Sequence, residues 1–148
     1  MEKDKNKDRH VKQIILIRGD LKLRRGKEIS QGCHASLGAV LKLMESQRII
    51  LADQEGTNQA TKKTMYIHDG SYLDKWLNGI FTKICLKVES LDELKELYDI
   101  AKSLQIPCSL IEDAGLTEFK GVKTVTCAAI GPYWSDEIDK ITNHLKLY

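Results

Sequence analysis

The sequence lacks the features that are typical of metal-binding, secreted and membrane-spanning proteins. Its four cysteines have neither C-x-x-C spacing nor zinc-finger spacing with a histidine. The first ten residues, MEKDKNKDRH, contain no apolar segment of a secretory signal. No apolar run approaches the ~18 residues that a membrane helix needs. These absences favour a cytosolic protein in a reducing setting, without a metal site or a membrane partner.

The chain also lacks a large excess of one charge. The net charge is +2, so the overall charge does not indicate a nucleic-acid partner, and any such partner must be inferred from where the charges lie. A length of 148 residues suits one domain, which buries roughly 68–70% of the surface of its unfolded chain. The hydrophobic fraction of 42% and the charged fraction of 30% are ordinary for a globular protein.

Strand and helix patterns alternate along the chain. Short apolar segments predict strands at 12–18, 82–88, 108–112 and 122–130, the last one ending at Gly131-Pro132. Helical spacing and capping signals predict helices at 27–46, 71–79, 90–104 and from 135 onward. The polar stretch 52–64 predicts a loop. We therefore expect a single compact α/β domain, with a small mixed sheet of about four strands flanked by helices on both faces. The last two strands are expected to pair antiparallel.

The first predicted helix has two different faces. Lys27, Gln31 and His34 are spaced so that they share one polar face. A structural histidine at the rim of the core would also explain His34. The predicted apolar face consists of Ile29, Cys33, Leu37, Val40 and Met44.

A cluster of positive charge comes directly before this helix. A helix N-terminus with lysine or arginine beside it is a natural anion site. The loop is not a Walker A motif, because Glu28 stands where a serine or threonine would bind magnesium. Taken alone, a solvated charged turn is the simpler interpretation. The basic residues before Gly26 are Arg18, Lys22, Arg24 and Arg25.

A second polar segment, DAGLT, follows the third predicted strand and contains Asp113, Gly115 and Thr117. Asp113 could accept backbone N–H bonds in an Asx-turn. It could equally act as a general base or position a water molecule. The spacing leaves both interpretations open. No serine lies in a G-x-S-x-G nucleophile elbow, so attack by water is favoured over a Ser-His-Asp triad.

Three blocks of the chain together resemble the type II peptidyl-tRNA hydrolase family. They are KQIILIRGDLKLRRGKEISQGCHASLGA, FTKICLKVESLDELKELYDIAKSLQIPCSLIEDAGLTEF and AIGPYWSDEIDKITNHLKL, in that order. The resemblance implies one hydrolase domain over residues 11–148, preceded by a charged flexible tail at 1–10 and interrupted by a longer polar loop around 47–70. It departs at Gly32-Cys33, where the family commonly has Cys-Ser.

The resemblance implies hydrolysis of the ester between peptide and tRNA in the cytoplasm, which recycles tRNA. It implies a homodimer that needs no cofactor and binds no DNA. The family's site residues correspond to Lys27, Gln31, His34, Asp113 and Thr117. Lys22 and Arg25 match basic positions of the family's loop. We expect the basic residues at 18, 22, 24 and 25 to bind tRNA through its phosphates. We also expect Lys27 to stabilise the oxyanion or hold a phosphate, and Asp113 to orient or activate water.

Other functions fit the same residues. One is a non-catalytic tRNA- or RNA-binding module on the same fold, which would use the basic loop without turnover. Another is a protein-interaction role through the long loop or a dimer surface. A third is an esterase or amidase that acts on a different substrate.

Overall fold

A four-stranded mixed sheet forms the centre of the structure, a computed structural model that describes residues 5–53 and 56–148. The strands are β1 (Val11–Arg18), β2 (Glu45–Asp53), β3 (Gly56–Thr64), β4 (Lys83–Val88), β5 (Cys108–Asp113) and β6 (Thr124–Trp134). The central sheet has the order β4-β1-β6-β5. β1 is parallel to β4, whereas β6 is antiparallel to β1 and to β5. The predicted mixed sheet and its antiparallel last pair are confirmed.

Four α-helices and a short 3-10 helix at Gly19–Leu21 complete the described part of the domain. The α-helices are α1 (Arg25–Leu41), α2 (Tyr72–Leu77), α3 (Leu91–Ser103) and α4 (Ser135–Thr142). The side chains of Ser71 and Ser90 accept hydrogen bonds from the backbone N–H groups of Asp74 and Glu93, so the predicted starts of α2 and α3 are confirmed. No helix in the described ranges is long and apolar enough to cross a bilayer.

The core lies on both faces of the central sheet, because successive strand residues point to opposite sides. On one face, Leu94 of α3 and Ile138 of α4 pack among Ile14 and Leu16 of β1. On the other face, α1 packs against β1 and β6, and its small side chains reach the sheet. β1 is therefore buried on both sides, and the prediction of helices on both faces is confirmed.

The buried side of α1 differs from the predicted one. Ile29 is 61% exposed and Leu37 is 58% exposed. The large apolar side chains face outward because α1 lies too close to the sheet to accommodate them. The buried residues of α1 are Gln31, Gly32, Ala35, Ala39 and Val40.

Within the polar stretch 52–64, the described residues 52–53 and 56–64 are strands and not a loop, while residues 54–55 of that prediction lie outside the described residues. α1 also does not continue to residue 46. The chain leaves α1 at Leu41, and β2 and β3 form a separate antiparallel hairpin. Their pairing runs from Glu45–Thr64 to Asp53–Gly56. Backbone hydrogen bonds and cross-strand side-chain contacts hold this hairpin, so it forms without the buried apolar face by which strands are recognised in a sequence.

β6 also continues past Gly131-Pro132 instead of ending there. Proline lacks the N–H group that a strand ladder needs. The pairing of β6 with β1 shifts register between Lys12 and Ile14, so Pro132 lies where the ladder is already interrupted. Gly131-Pro132 therefore coincides with an irregularity in the pairing of β6, but the prediction that the strand ends there is wrong.

Part of the N-terminal tail is attached to the domain. The Lys75 ammonium donates to the backbone carbonyls of Lys7 at 2.8 Å and Arg9 at 3.2 Å. Arg9 pairs with Asp136 at 2.9 Å and lies over the Trp134 ring. Residues 1–4 of the predicted flexible tail lie outside the described residues.

Gln13 provides a test of the buried polar packing between α1 and the sheet. Its side chain is fully buried, and its amide donates to the carbonyls of Gly131 at 3.0 Å and Ser36 at 3.2 Å. We expect Gln13→Leu to lower the free energy of unfolding by about 1–3 kcal/mol, because buried carbonyls lose their donors. Urea denaturation measures this, with the exposed Gln47→Leu as control. Equal stabilities of the two variants would contradict the prediction.

Candidate active site

Asp113, at the end of β5, lies at the centre of a hydrogen-bonded cluster. The ammonium Nζ of Lys27 donates to Asp113 Oδ2 at 2.6 Å and to Thr117 Oγ1 at 3.0 Å. The amide Nε2 of Gln31 donates to the same carboxylate oxygen at 3.1 Å. The structure therefore brings together four of the five predicted catalytic residues, from the first two turns of α1, the end of β5 and the loop that follows β5.

The loop after β5 is fixed by its backbone. Asp113 Oδ1 accepts the N–H of Gly115 at 2.9 Å, which is the Asx-turn that the sequence also allowed. Gly115 has a φ of +81°, and a Cβ at this position would lie 2.3 Å from the carbonyl oxygen of Val122. Only glycine fits here without displacing the backbone. The turn thus holds one carboxylate oxygen while the other faces Lys27 and Gln31.

The surroundings of Asp113 hold its pKa below the usual value. The hydrogen bond from Lys27 is the largest cause, burial opposes it, and the N–H of Gly115 and the amide of Gln31 also favour the ionised form. The side chains of Lys27 and Asp113 are 15% and 12% exposed. The site therefore presents a carboxylate beside an ammonium group, an arrangement that can position a water molecule and stabilise developing negative charge.

Thr126 belongs to this cluster, although the sequence did not indicate it. Its side chain is buried on β6, and its hydroxyl donates to Gln31 Oε1. This bond sets the orientation of the amide, so that its N–H group points to Asp113. The segment TVTCAAI predicts a buried strand and no more than that. The one feature of the sequence that indicates a role for Thr126 is its hydroxyl within an apolar strand, because a buried polar group needs a hydrogen-bond partner.

His34 is not part of the cluster. It is exposed on α1, one turn beyond Gln31, and no hydrogen bond to it occurs among the residues that the structure describes. Its place on the polar face agrees with the sequence spacing. Its predicted role in the reaction stays a prediction.

The four predicted tRNA-binding residues differ in their pairing. Arg18 donates to Asp20 and, at 2.9 Å, to the carbonyl of Val125, and its side chain is 11% exposed. Arg24 pairs with Glu118 at 2.8 Å. The other two, Lys22 and Arg25, are exposed and form no ion pair within the described parts of the chain. Together with Lys87, which the sequence did not indicate, they line an open cavity of about 530 Å³.

The cysteines offer no competing nucleophile at this cluster. Burial raises the pKa of Cys127 to about 12, so its thiol stays protonated, and it donates to the carbonyl of Gln31. Cys108 is also buried, whereas Cys33 and Cys85 are exposed. In the described ranges, no three His, Cys, Asp or Glu side chains are placed to hold a metal ion.

The Lys27–Asp113 pair predicts a shift that can be measured directly. Without Lys27, the main cause of the low pKa is removed while burial still raises it, so Lys27→Met should raise the pKa of Asp113. The pKa of Asp113 in the folded protein lies below 3.8, the ordinary value for an aspartate. The Lys27–Asp113 pair therefore stabilises the fold at pH values above 3.8. This contribution to stability is lost as the pH falls through the folded-state pKa of Asp113.

Carbon-13 NMR titration of the Asp113 carboxyl group measures the shift. Arg24→Met is the control, because Arg24 pairs with Glu118 and makes no hydrogen bond to Asp113. An Asp113 pKa that stays the same in Lys27→Met would show that the pair is not formed in solution.

Comparison with known proteins agrees with this geometry. The family model described as peptidyl-tRNA hydrolase PTH2 matches residues 11–148. A protein of Methanopyrus kandleri named peptidyl-tRNA hydrolase is 40% identical over 136 residues, which cover 92% of this chain and 97% of the relative. Proteins of the same name from Sulfurisphaera tokodaii and Methanocaldococcus jannaschii are 37% and 36% identical over 137 residues, which cover 93% of this chain and 98% and 99% of theirs. The chain belongs to the PTH2 family of peptidyl-tRNA hydrolases.

Proposed function

We propose that this chain hydrolyses the ester between peptide and tRNA, with Asp113 and Lys27 at the centre of its active site. The observation that carries the proposal is the ionised Asp113, held between Lys27 and Gln31 at the end of a buried strand. The family match supports the substrate. Peptidyl-tRNA arises during translation, so the proposed place of action is the cytoplasm.

In the proposed reaction, Asp113 binds the attacking water molecule and accepts one of its protons. The water oxygen bonds to the carbonyl carbon, the bond from that carbon to the ribose oxygen breaks, and the proton passes to that oxygen. Asp113 is a weak base because its pKa is low, so orienting the water is the larger part of its role. Lys27 has three N–H donors, of which Asp113 and Thr117 accept two. The third can stabilise the oxyanion.

The basic loop before α1 supplies the proposed tRNA contacts. Lys22 and Arg25 are exposed beside the first turn of the helix, where its N–H groups also favour an anion. Binding through phosphates is independent of sequence and weakens with salt. Arg18 and Arg24 already have acidic partners, so their proposed share in tRNA binding is smaller. A non-catalytic RNA-binding module is not favoured, since the predicted cluster is complete apart from His34.

The proposed homodimer has a suitable surface on the other side of α1. An apolar groove of about 590 Å³ runs between α1, α2 and β4. Ile29, Leu37 and Phe81 line it and are 61%, 58% and 46% exposed. We propose that a second copy of the chain covers these side chains, because their burial would stabilise the pair.

Replacing the carboxylate tests the proposed catalytic role. We expect Asp113→Asn to lower kcat by a factor of about 10² to 10⁴, because a neutral amide orients the water less strongly, loses the ion pair with Lys27 and cannot accept a proton. The assay measures release of an N-acetyl-amino acid from N-acetyl-aminoacyl-tRNA. Glu112→Gln is the matched control, since Glu112 is the exposed neighbouring carboxylate on β5. Equal kcat values for the two variants would remove Asp113 from the mechanism.

A charge in the apolar groove tests the proposed dimer. Leu37→Glu should convert the dimer to a monomer, because the carboxylate would be buried without a partner at the interface. Sedimentation equilibrium measures the molar mass, and Leu104→Glu is the control, because Leu104 is 56% exposed beyond α3, outside the residues that line the groove. The proposed interface is wrong if Leu37→Glu keeps the mass of a wild-type dimer, or if the wild type is a monomer.

A further inference from the structure

The β2–β3 hairpin takes no part in the proposed active site or in the apolar groove. Within the described ranges, each of its strands has the other as its one strand neighbour, so no further described strand pairs with either outer edge of the hairpin. All residues of β3 except Ala60 and Thr64 are exposed. A two-stranded hairpin by itself is marginally stable in water, so a hairpin of two nine-residue strands with this much exposure suggests a role in binding.

Three cations lie close together at the end of the hairpin that joins the domain. Lys63 pairs with Ser46, Lys62 with Gln47 and Arg48 with Thr61, so the cations occupy three successive positions of the ladder. Because successive positions alternate between the faces, Lys63 and Arg48 point to one face of the hairpin and Lys62 points to the other.

No acidic group in the described parts of the chain neutralises these cations. The Arg48 guanidinium donates to the neutral side chains of Thr61 at 3.0 Å and Gln59 at 2.9 Å. The Lys63 ammonium donates to the hydroxyl of Ser46 at 2.9 Å. Glu45 is one ladder position away and forms no ion pair with any of the three. This end of the hairpin therefore carries positive charge on both of its faces, two cations on one face and one on the other, and a ligand with repeated negative charge complements it.

The chemistry of β3 favours a nucleic acid over a protein. Its exposed side chains are hydroxyl, amide and ammonium groups, which are the groups that contact phosphates and sugars. The exposed apolar residues of β2, Ile50 and Leu51, are neighbours in a strand and so point to opposite faces. They do not combine into one apolar patch of the kind that marks a protein interface.

The position of the hairpin fits a ligand that also reaches the proposed active site. α1 begins beside Asp113 with Lys27 and Gln31 and ends just before β2. Its 17 residues span about 25 Å. A molecule that contacts both ends must therefore be long and negatively charged along its length, as the helical arm of a tRNA is.

We propose that the domain-proximal end of the hairpin, formed by Arg48, Lys62 and Lys63, binds the sugar–phosphate backbone of the tRNA whose ester lies at Asp113. This proposal rests on the proposed function. The binding is independent of base sequence, and it adds affinity for whole tRNA without taking part in ester cleavage.

The test compares two ligands and one triple variant. In Arg48→Ala/Lys62→Ala/Lys63→Ala, the Kd for full-length tRNA, measured by fluorescence anisotropy, should rise at least about tenfold at ~0.15 M salt. The slope of log Kd against log salt should fall by roughly one for each phosphate that no longer has a cation beside it. KM for N-acetyl-aminoacyl-tRNA should rise, while kcat should not change. KM for a short N-acetyl-aminoacyl oligonucleotide, which cannot reach the hairpin, should also stay the same.

Three further variants separate the effect of charge from the effect of folding. Lys62→Arg/Lys63→Arg keeps the charge and should keep the wild-type Kd. Lys95→Ala/Lys102→Ala/Lys140→Ala removes the same charge from α3 and α4 and should change the Kd for tRNA much less. Should the triple alanine variant unfold the hairpin, Lys62→Gln/Lys63→Gln keeps the hydrogen bonds of Arg48 and should still weaken tRNA binding.

The outcomes are distinct. An unchanged Kd and salt slope for full-length tRNA would overturn the proposal and leave a protein as the partner of the hairpin. An equal rise in KM for tRNA and for the short oligonucleotide would also overturn it, because the hairpin would then support the active site instead of binding RNA. If the wild type cleaves neither substrate, the proposed function fails. The ratio of the Kd values for full-length tRNA in the triple alanine variant and in the wild type still decides whether the hairpin binds tRNA.

Discussion

The close approach of α1 to the central sheet is the constraint on which the rest of the structure depends. Side chains of the sheet reach the backbone of the helix itself: Ser109 donates to the carbonyl of Ala35 at 2.6 Å, and Cys127 donates to that of Gln31 at 3.1 Å. Such contacts require small residues on the buried side of α1. This packing brings Lys27 within hydrogen-bond distance of Asp113, and it turns the large apolar side chains outward into the groove.

A chain of hydrogen bonds then connects the core to the site. Thr126 orients Gln31, Gln31 and Lys27 donate to one oxygen of Asp113, and the Gly115 turn holds the other oxygen. Because each polar group in this chain of hydrogen bonds has a partner, the Asp113 carboxylate is held in place and kept ionised before substrate binds. This preorganisation is what a water-based ester hydrolysis requires. The exposed cations at both ends of α1 suit a polyanionic substrate.

The sequence predicted the four strands of the central sheet and the four α-helices in their order, because capping residues and apolar periods are local signals, as at Ser90. It placed Lys27 and Gln31 on one face by spacing, but only the family resemblance connected them with Asp113, which lies in a distant segment. Exposed Ile29 was assigned to the core, because periodicity alone does not show how close a helix lies to its sheet. Thr126 and the hairpin depend on contacts between distant residues and on backbone pairing, which spacing does not reveal.

The central claim is that Lys27 and Asp113 form a hydrolytic site for peptidyl-tRNA. It is tested most directly by incubating N-acetyl-aminoacyl-tRNA with the wild type and with Lys27→Ala, each with and without EDTA. The account predicts that the wild type releases the N-acetyl-amino acid equally in both conditions, and that Lys27→Ala loses a factor of about 10² or more in kcat. A wild-type protein that binds the tRNA but releases no product would contradict it, as would a Lys27→Ala variant with wild-type turnover.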